Sequence, residues 1–153
     1  MISLPSGEFL ELTIKELLIP SERVAHVQVG NNLEHALLVL TKSGYTAIPV
    51  LDPHYKLHGL ISTPIIMDSI LGLERIEFEK LEEKRVEEVM KITIPRVKIS
   101  ASIEECLDLL VNHPFLCVET DDGYFEGILP RSTFLNQLNK IMKISKSNEK
   151  APK

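Results

Sequence analysis

The sequence predicts a mixed α/β (α+β) fold in which one unit of about 70 residues occurs twice. Segments with the same apolar pattern begin at Val29 and at Ile99. In each segment, helical spacing of apolar residues is followed by two runs rich in β-branched and aromatic residues, which favour strands. The 153 residues are 44% hydrophobic and 25% charged, as in an ordinary globular domain. We therefore expect two small sheets flanked by helices.

The longest match between the units is an amphipathic helix. Its apolar positions follow the i, i+3, i+4, i+7 spacing of one helix face. Ser102 and Glu105 have the spacing of a capping box, which marks the start of the second copy. Shorter helices are expected upstream, at 14–18 and 86–90, and closing helices at 64–71 and 131–143. The matched apolar sets are Leu33, Ala36, Leu37 and Leu40 in the first copy and Ile103, Cys106, Leu107 and Leu110 in the second.

A predicted β-hairpin follows the helix in each unit. Its first strands are residues 45–51 and 115–120, and turn-forming residues follow at 52–54 and 121–123. The second strands end on the matching runs Gly59-Leu60-Ile61 and Gly127-Ile128-Leu129. Each unit should therefore read helix, strand, helix, strand, strand, helix.

These elements divide the chain into four parts. Repeat 1 is expected at 12–71 and repeat 2 at 85–142, joined by a charged linker at 72–84. The linker has spaced apolar residues, which indicates a surface segment with one docked face. The remaining residues, 143–153, are basic and polar and are predicted to form a disordered tail.

Charge and hydropathy exclude several classes of function. The net charge of −5 has the wrong sign for a protein that grips a nucleic acid polymer. The first eight residues lack the basic region of a signal peptide, and no apolar run approaches the roughly 18 residues of a membrane span. We therefore expect a cytoplasmic protein that does not act on a membrane.

No arrangement of residues typical of catalysis or metal binding occurs. Cys106 and Cys117 lie in apolar runs and are predicted to be reduced core residues. Asp52, His54 and His58 surround a turn-forming proline, so a solvated turn is favoured over a metal site. Motifs for acyl transfer, nucleotide hydrolysis, dinucleotide oxidoreduction and zinc peptidases are missing. The sequence indicates a protein that is not an enzyme and needs no cofactor.

The repeated unit resembles a CBS domain. The resemblance rests on the strand end Ile48-Pro49 and on the hairpin exit Gly59-Leu60-Ile61-Ser62. Two units in tandem resemble a Bateman module, a CBS-domain pair whose repeats pack about a pseudo-two-fold axis. In that family, adenine nucleotides bind in the clefts between the repeats.

A closer resemblance is to the stand-alone cyclic di-AMP-binding CBS proteins of Gram-positive bacteria, the DarB/CbpB type. It rests on residues 24–52 and on the linker residues 71–81. It implies a receptor for this second messenger that regulates a target protein in a ligand-dependent way. It also implies a homodimer with two equivalent ligand sites. The targets implied are the (p)ppGpp synthetase/hydrolase of the stringent response or pyruvate carboxylase.

The resemblance also implies a ligand site between the repeats. Small residues of repeat 1 would let a base approach the main chain, and the hairpin exit of repeat 2 would close the cleft. Arg131 and the N-terminus of the last helix would hold one phosphate, and Arg23 the same or the other one. The residues expected to bind ligand are Arg23, Val24, Ala25, His26, Tyr45, Thr46, Ala47, Ile128, Arg131 and Ser132.

Two other functions stay open. An AMP or ATP sensor of the same fold usually carries an aspartate that accepts from the ribose hydroxyls, and here Ile65 and Thr133 occupy those positions. A ligand-free dimerisation or scaffold protein would use the same arginines only as surface residues. The relatives often have Thr-Arg-Arg where this chain has Pro130-Arg131-Ser132, and Lys in place of Arg23, so ligand affinity is not fixed by the sequence.

Overall fold

The computed structural model describes residues 13–150 and contains seven α-helices and seven strands in that range. The helices are α1 Ile14–Leu17, α2 Leu33–Ser43, α3 Thr63–Ile70, α4 Lys80–Glu83, α5 Val86–Val89, α6 Ile103–Leu110 and α7 Arg131–Lys150. The strands are β1 Ile19–Pro20, β2 Val27–Gln28, β3 Ala47–Leu51, β4 Leu57–Ser62, β5 Arg96–Lys98, β6 Phe115–Glu119 and β7 Phe125–Pro130. A 3₁₀ turn spans Ser21–Arg23.

The strands form two small sheets, and the predicted fold class is confirmed. One sheet has the order β2-β3-β4 and the other the order β1-β7-β6-β5. Within each repeat, the first two strands pair in parallel and the hairpin pairs antiparallel. The amphipathic helices pack their apolar stripes against these sheets, with Leu33 and Ala36 wholly buried in repeat 1.

The strand register changes one detail of the repeat alignment. Ala47 pairs with Ser62 at the end of the first hairpin, and Phe115 pairs with Pro130 at the end of the second. Ala47 is therefore the structural equivalent of Phe115, whereas an ungapped alignment matches Phe115 with Tyr45. The reason is that α2 has eleven residues and α6 has eight, which changes the path from helix to strand.

The two repeats exchange their short N-terminal helices. Ile14 and Leu17 of α1 are buried in the core of repeat 2, and Val86 of α5 is buried in the core of repeat 1. Next to each exchanged helix, the chain pairs with the last hairpin strand of the other repeat. These pairs are Ile19 with Ile128, and Lys91 with Leu60 through two hydrogen bonds of 2.9 and 3.0 Å.

A third hydrophobic cluster joins the two repeats. It contains Val24, Leu51, Leu57, Leu60, Cys117, Phe125 and Ile128. The two hairpin turns also hydrogen-bond across this boundary, Phe125 N to Tyr55 O at 2.9 Å and Leu57 N to Gly123 O at 3.3 Å. The repeats are therefore held together by apolar burial and by main-chain pairing.

One ion cluster breaks the symmetry of this boundary. Glu119, which corresponds to Leu51, is 5% exposed and is the only buried charged residue in the described range. Its carboxylate accepts from Lys98 Nζ at 3.2 Å and from Arg96 Nη1 at 3.5 Å. Arg96 also approaches Leu57 O at 3.5 Å, which links the cluster to repeat 1.

The linker is docked on repeat 1, and the last helix is longer than the sequence suggested. The linker contains α4, which packs against α2 and α3 of repeat 1. The helix α7 continues to Lys150, so the expectation of a disordered tail from residue 143 is wrong for residues 143–150. Residues 1–12 and 151–153 lie outside the described range. The prediction that the chain starts without a signal peptide concerns the first of these segments. No described helix is both long and apolar enough to cross a bilayer.

The contact between β1 and β7 depends on Gly127. A substitution at this glycine therefore tests how much the pairing next to the exchanged helix contributes to stability. Gly127 has a φ of +151°, and a Cβ built on it would lie 2.1 Å from Ile19 O. Because that atom belongs to the backbone, Gly127→Ala must separate β1 from β7. We expect it to lower the free energy of unfolding by about 3 kcal/mol in urea titrations.

Gly123→Ala is the matched control, since Gly123 also has a positive φ, +90°, but a Cβ added there would meet no atom within 4 Å. Here only the left-handed conformation is unfavourable, at about 1 to 2 kcal/mol. Equal losses in the two variants would contradict the importance of the β1 contact.

The turn of the first hairpin is organised by Asp52. Its Oδ1 accepts from His54 N at 2.8 Å and from Lys56 N at 3.0 Å, and its Oδ2 lies 2.9 Å from His58 Nε2. The hydrogen bond with His58, helped by the backbone donors, lowers the pKa of Asp52 from 3.8 to about 2.

This lowered pKa makes the contribution of Asp52 to stability pH-dependent. A carboxyl whose pKa is lower in the folded state stabilises the protein above its unfolded pKa, and the effect disappears as the pH falls toward the folded value. We expect the gap in urea midpoint between wild type and Asp52→Asn to be full above pH 4 and to shrink as the pH approaches about 2. A gap that stays constant over this range would show that the charge of Asp52 is irrelevant.

Candidate functional site

A cleft of about 300 Å³ lies between the two repeats. Its volume is at the small end of the range for ligand pockets in proteins. It is lined by Ile19, Val24, Ala25, Tyr45, Thr46, Ala47, Pro49, Pro114, Phe115, Ile128, Pro130 and Ser132.

Repeat 1 contributes two short segments to the wall. Val24 and Ala25 follow the 3₁₀ turn and lead into β2, so their position depends on that turn. Tyr45 and Thr46 connect α2 to β3, and Ala47 is the first residue of that strand. The chain can turn sharply there because Gly44 caps α2 in the left-handed conformation, with a φ of +76°.

Repeat 2 closes the cleft with the end of its hairpin and the start of α7. Ile128 and Pro130 lie on β7, and Ser132 lies in the first turn of α7. The adjoining loop is held by a hydrogen bond from Arg131 N to Pro114 O of 2.8 Å. Ile19 reaches this wall only because β1 pairs with β7.

The chemistry of the cleft is that of an apolar slot with hydroxyl groups at its mouth. Most lining residues are aliphatic, aromatic or proline side chains. The polar exceptions are the hydroxyl groups of Tyr45, Thr46 and Ser132, of which Thr46 and Ser132 are exposed. Such a slot can take a flat heterocyclic ring and donate hydrogen bonds to more polar groups outside it.

The two candidate cations flank the cleft rather than line it. Arg23 directly precedes Val24 and is exposed, and its side chain forms no hydrogen bond or ion pair with any described residue. Arg131 donates from Nε to Leu110 O at 2.7 Å and from Nη2 to Val111 O at 3.5 Å. Its guanidinium therefore ties the end of α6 to the start of α7, and its remaining donors face no described partner.

His26 also lies off the cleft wall. Its Nδ1 donates to Val24 O at 3.2 Å, and its ring packs edge-on against Tyr55 with centroids 5.4 Å apart. The residue therefore supports the segment that carries Val24 and Ala25.

Seven of the ten residues predicted from the sequence meet at this cleft, while Arg23, His26 and Arg131 do not line it. Their contact with a ligand stays a prediction. The sequence analysis missed Ile19, Pro49, Pro114, Phe115 and Pro130. Pro49 and Pro130 could have been predicted from the sequence. Side chains alternate along a strand, so Pro49 lies on the same face as Ala47, and Pro130 on the same face as Ile128. Nothing in the sequence indicated Ile19, whose place depends on the exchange.

Two alanines of the cleft wall in repeat 1 have larger residues at the equivalent positions of repeat 2. Ala47 corresponds to Phe115, and Ala25 to Pro95 from the pairing of β2 and β5 with their hairpins. The space that Ala25 and Ala47 leave open in repeat 1 is therefore filled by the larger side chains of Pro95 and Phe115 in repeat 2.

The two cysteines have the surroundings of core residues. Both are buried, and burial raises the pKa of Cys106 to about 11 and that of Cys117 to about 12. Neither thiol is therefore ionised at neutral pH. Among the described residues, no three His, Cys, Asp or Glu side chains are placed to hold a metal ion.

Comparisons with known proteins agree with this architecture. A family model for the CBS domain matches residues 14–72 and 86–140. The chain is 60% identical over 140 residues to cyclic di-AMP receptor B of Bacillus subtilis, covering 92% of this chain and 95% of that protein.

Solved structures give the same result. A CBS domain-containing protein of unknown function from Bacillus anthracis has a TM-score of 0.83 and 62% identity, over 89% of this chain and 99% of that one. CbpB of Listeria monocytogenes in complex with cyclic di-AMP has a TM-score of 0.81 and 54% identity, over 86% of this chain and 98% of that one. The resemblance inferred from the motifs is confirmed: with the family model matched in both halves, each with the same parallel pair and hairpin, the chain belongs to the CBS domain family.

Proposed function

We propose that this protein is a non-enzymatic receptor for cyclic di-AMP that binds the dinucleotide in the cleft between its CBS repeats. The observation that carries the proposal is the apolar cleft with hydroxyl groups at its mouth, in a chain 60% identical to a cyclic di-AMP receptor. The family to which the chain belongs is one whose members bind adenine nucleotides.

The geometry suits one adenine ring and its phosphate. The ring enters between Ala25 and Ala47, whose small side chains leave the space, and stacks against apolar wall residues. The hydroxyl groups of Thr46 and Ser132 donate to the sugar-phosphate part. Arg23 and the free donors of Arg131 neutralise the phosphates, as guanidinium groups do in other anion sites.

Energy sensing by AMP or ATP is less well supported. A nucleotide with free ribose hydroxyls gains from a carboxylate acceptor, and the positions where the family carries it hold Ile65 and Thr133. A cyclic dinucleotide has its 3′-hydroxyl esterified, so it needs this acceptor less.

Regulation requires a second binding partner. The receptor acts in the cytoplasm as a homodimer and binds a target protein, for which the (p)ppGpp synthetase/hydrolase and pyruvate carboxylase are the candidates. Ligand changes the affinity for the target, and by linkage the target changes ligand affinity by the same factor.

Thermal unfolding with a series of nucleotides tests the ligand. At about 100 times its dissociation constant, a ligand that binds only the folded state adds about 2.7 kcal/mol, or about 5 to 10 °C in a domain of this size. We expect this rise in Tm for cyclic di-AMP and a smaller one for AMP, ATP and cyclic di-GMP. A larger rise with AMP or ATP would favour the energy sensor, and no rise with any of them would favour the scaffold.

Filling the cleft tests the site. Ala47→Phe copies the residue found at the equivalent position of β6, so the strand should tolerate it, while the ring occupies the adenine space. We expect the ligand-induced rise in Tm to disappear while the Tm without ligand changes by only a few degrees. Ala101→Phe, at a half-buried alanine outside the cleft, is the control and should keep the rise.

Arg131→Met tests the phosphate contact. We expect affinity for cyclic di-AMP, measured by calorimetry, to fall at least about tenfold and stability to fall by about 1 kcal/mol, because the end of α6 also loses a donor. Arg85→Met is the matched control, since Arg85 donates to Gly30 O at 2.9 Å far from the cleft. Unchanged affinity in Arg131→Met would refute the assigned role of this arginine.

A further inference from the structure

The turns of the two hairpins have the same main-chain design. In the first turn, Tyr55 N donates to Asp52 O at 2.9 Å. In the second turn, Gly123 N donates to Thr120 O, also at 2.9 Å. The backbone φ is positive at both donors, +67° at Tyr55 and +90° at Gly123. Tyr55 and Gly123 therefore occupy equivalent positions, one in each repeat.

A tyrosine is an unusual residue for such a position. Glycine adopts the left-handed conformation without a steric cost, whereas a bulky side chain is disfavoured there. Tyr55 is the only described residue other than glycine with a positive φ. The turn itself does not need the ring, because Gly123 makes the same turn without one. Residues in disfavoured conformations cluster at functional sites, so we looked for what the Tyr55 ring contacts.

The ring of Tyr55 lies between repeat 2 and the segment that leads into β2. It meets the ring of His26 edge-on, with centroids 5.4 Å apart. It also meets the ring of Phe125 in repeat 2 at a centroid distance of 6.5 Å. Edge-on and tilted ring pairs at these distances are attractive. Tyr55 therefore links the side chain of His26 to the other repeat.

His26 connects this ring to the main chain of the cleft wall. Its Nδ1 lies 3.2 Å from Val24 O. A carbonyl oxygen can only accept, so Nδ1 carries the proton and donates. Val24 and Ala25 line the cleft, whereas His26 and Tyr55 do not. The two rings therefore contact the residues of the wall from outside the cleft.

The equivalent positions of repeat 2 hold other residues. The pairing of β2 and β5 with their hairpins makes Arg96 the equivalent of His26. Arg96 approaches the carboxylate of Glu119 at 3.5 Å, and Gly123 offers it no ring. The pair of rings thus belongs to repeat 1, whose small residues form the open side of the cleft.

We propose that Tyr55 and His26 are positioning residues for ligand binding, which hold the segment of Val24 and Ala25 in place at the cleft wall. The carbonyl of Tyr55 accepts from Phe125 N of repeat 2 at 2.9 Å, so its backbone is fixed across the repeats. The Tyr55 ring fixes His26, and His26 fixes the carbonyl of Val24. The first hairpin turn thereby sets the fraction of molecules whose cleft is ready for ligand. This inference rests on the receptor function proposed above and adds residues outside the cleft.

Calorimetry with cyclic di-AMP tests the role of Tyr55. Tyr55→Gly copies Gly123, so the turn should still form while the contact with His26 is lost. We expect the Kd to rise about tenfold, as it does when only about one-tenth of the molecules hold the wall in place. Tyr55→Phe keeps the ring and should restore wild-type affinity. Tyr124→Ala removes the exposed tyrosine of the second turn and should leave the Kd unchanged.

His26→Phe tests the second link. It keeps a ring against Tyr55 but removes the donor to Val24 O, and we expect a similar rise in Kd. The double variant with Tyr55→Gly should bind no more weakly than the weaker of the two single variants, because both substitutions interrupt the same chain of contacts. Independent effects would multiply in the double variant, and this result would contradict the link between the two rings.

Hydrogen exchange of the ligand-free protein reports on the wall without any ligand. The Val24 amide donates to Ser21 O at 3.1 Å, and local opening of this segment exposes it to exchange. We expect faster exchange at Val24 in Tyr55→Gly, with an unchanged rate at Cys106 in α6 as the reference. An unchanged rate at Val24 overturns the inference. Failure of the wild type to bind cyclic di-AMP overturns the receptor function instead, and the exchange rates still decide the positioning role.

Discussion

The structure depends on the exchange of short helices between the repeats. Each hydrophobic core lacks a side until a helix of the other repeat covers it, as Leu17 does for repeat 2 and Val86 for repeat 1. The strand that follows α1 then pairs with the last hairpin of repeat 2, which brings Ile19 and Val24 to the wall of the cleft. The ligand site is therefore a product of the same exchange that completes the cores.

Local sequence patterns predicted most of the elements, because each pattern reflects a local physical preference. The apolar stripe of α2 follows from burying one side of the helix, and the apolar runs of β3 and β4 follow from burying both faces of these strands. The same patterns cannot say which core a helix enters. The apolar residues of α1 fit either core, and only packing assigns Ile14 to repeat 2.

The sequence predicted only part of the candidate site, because a motif gives the location of a residue but not its contacts in the fold. Ala47 and Ile128 could be placed because the family motif puts them on hairpin strands, and Ala25 because the motif puts it just before the first strand of repeat 1. Arg131 shows the limit of this approach, since the motif gives its location but not the competing carbonyl of Leu110 to which it donates. The end of α7 was missed because polar, basic residues favour a disordered tail and a solvated helix equally.

The exchange also says something about how such a chain originates. A single unit with a free N-terminal helix cannot cover its own core, but two identical units can cover each other by trading helices. The same packing would hold two separate units together as a dimer, so the linker joins halves that already complete each other. Once the halves were joined, each position could change alone, and the pairs Ala47 with Phe115 and Leu51 with Glu119 record that divergence.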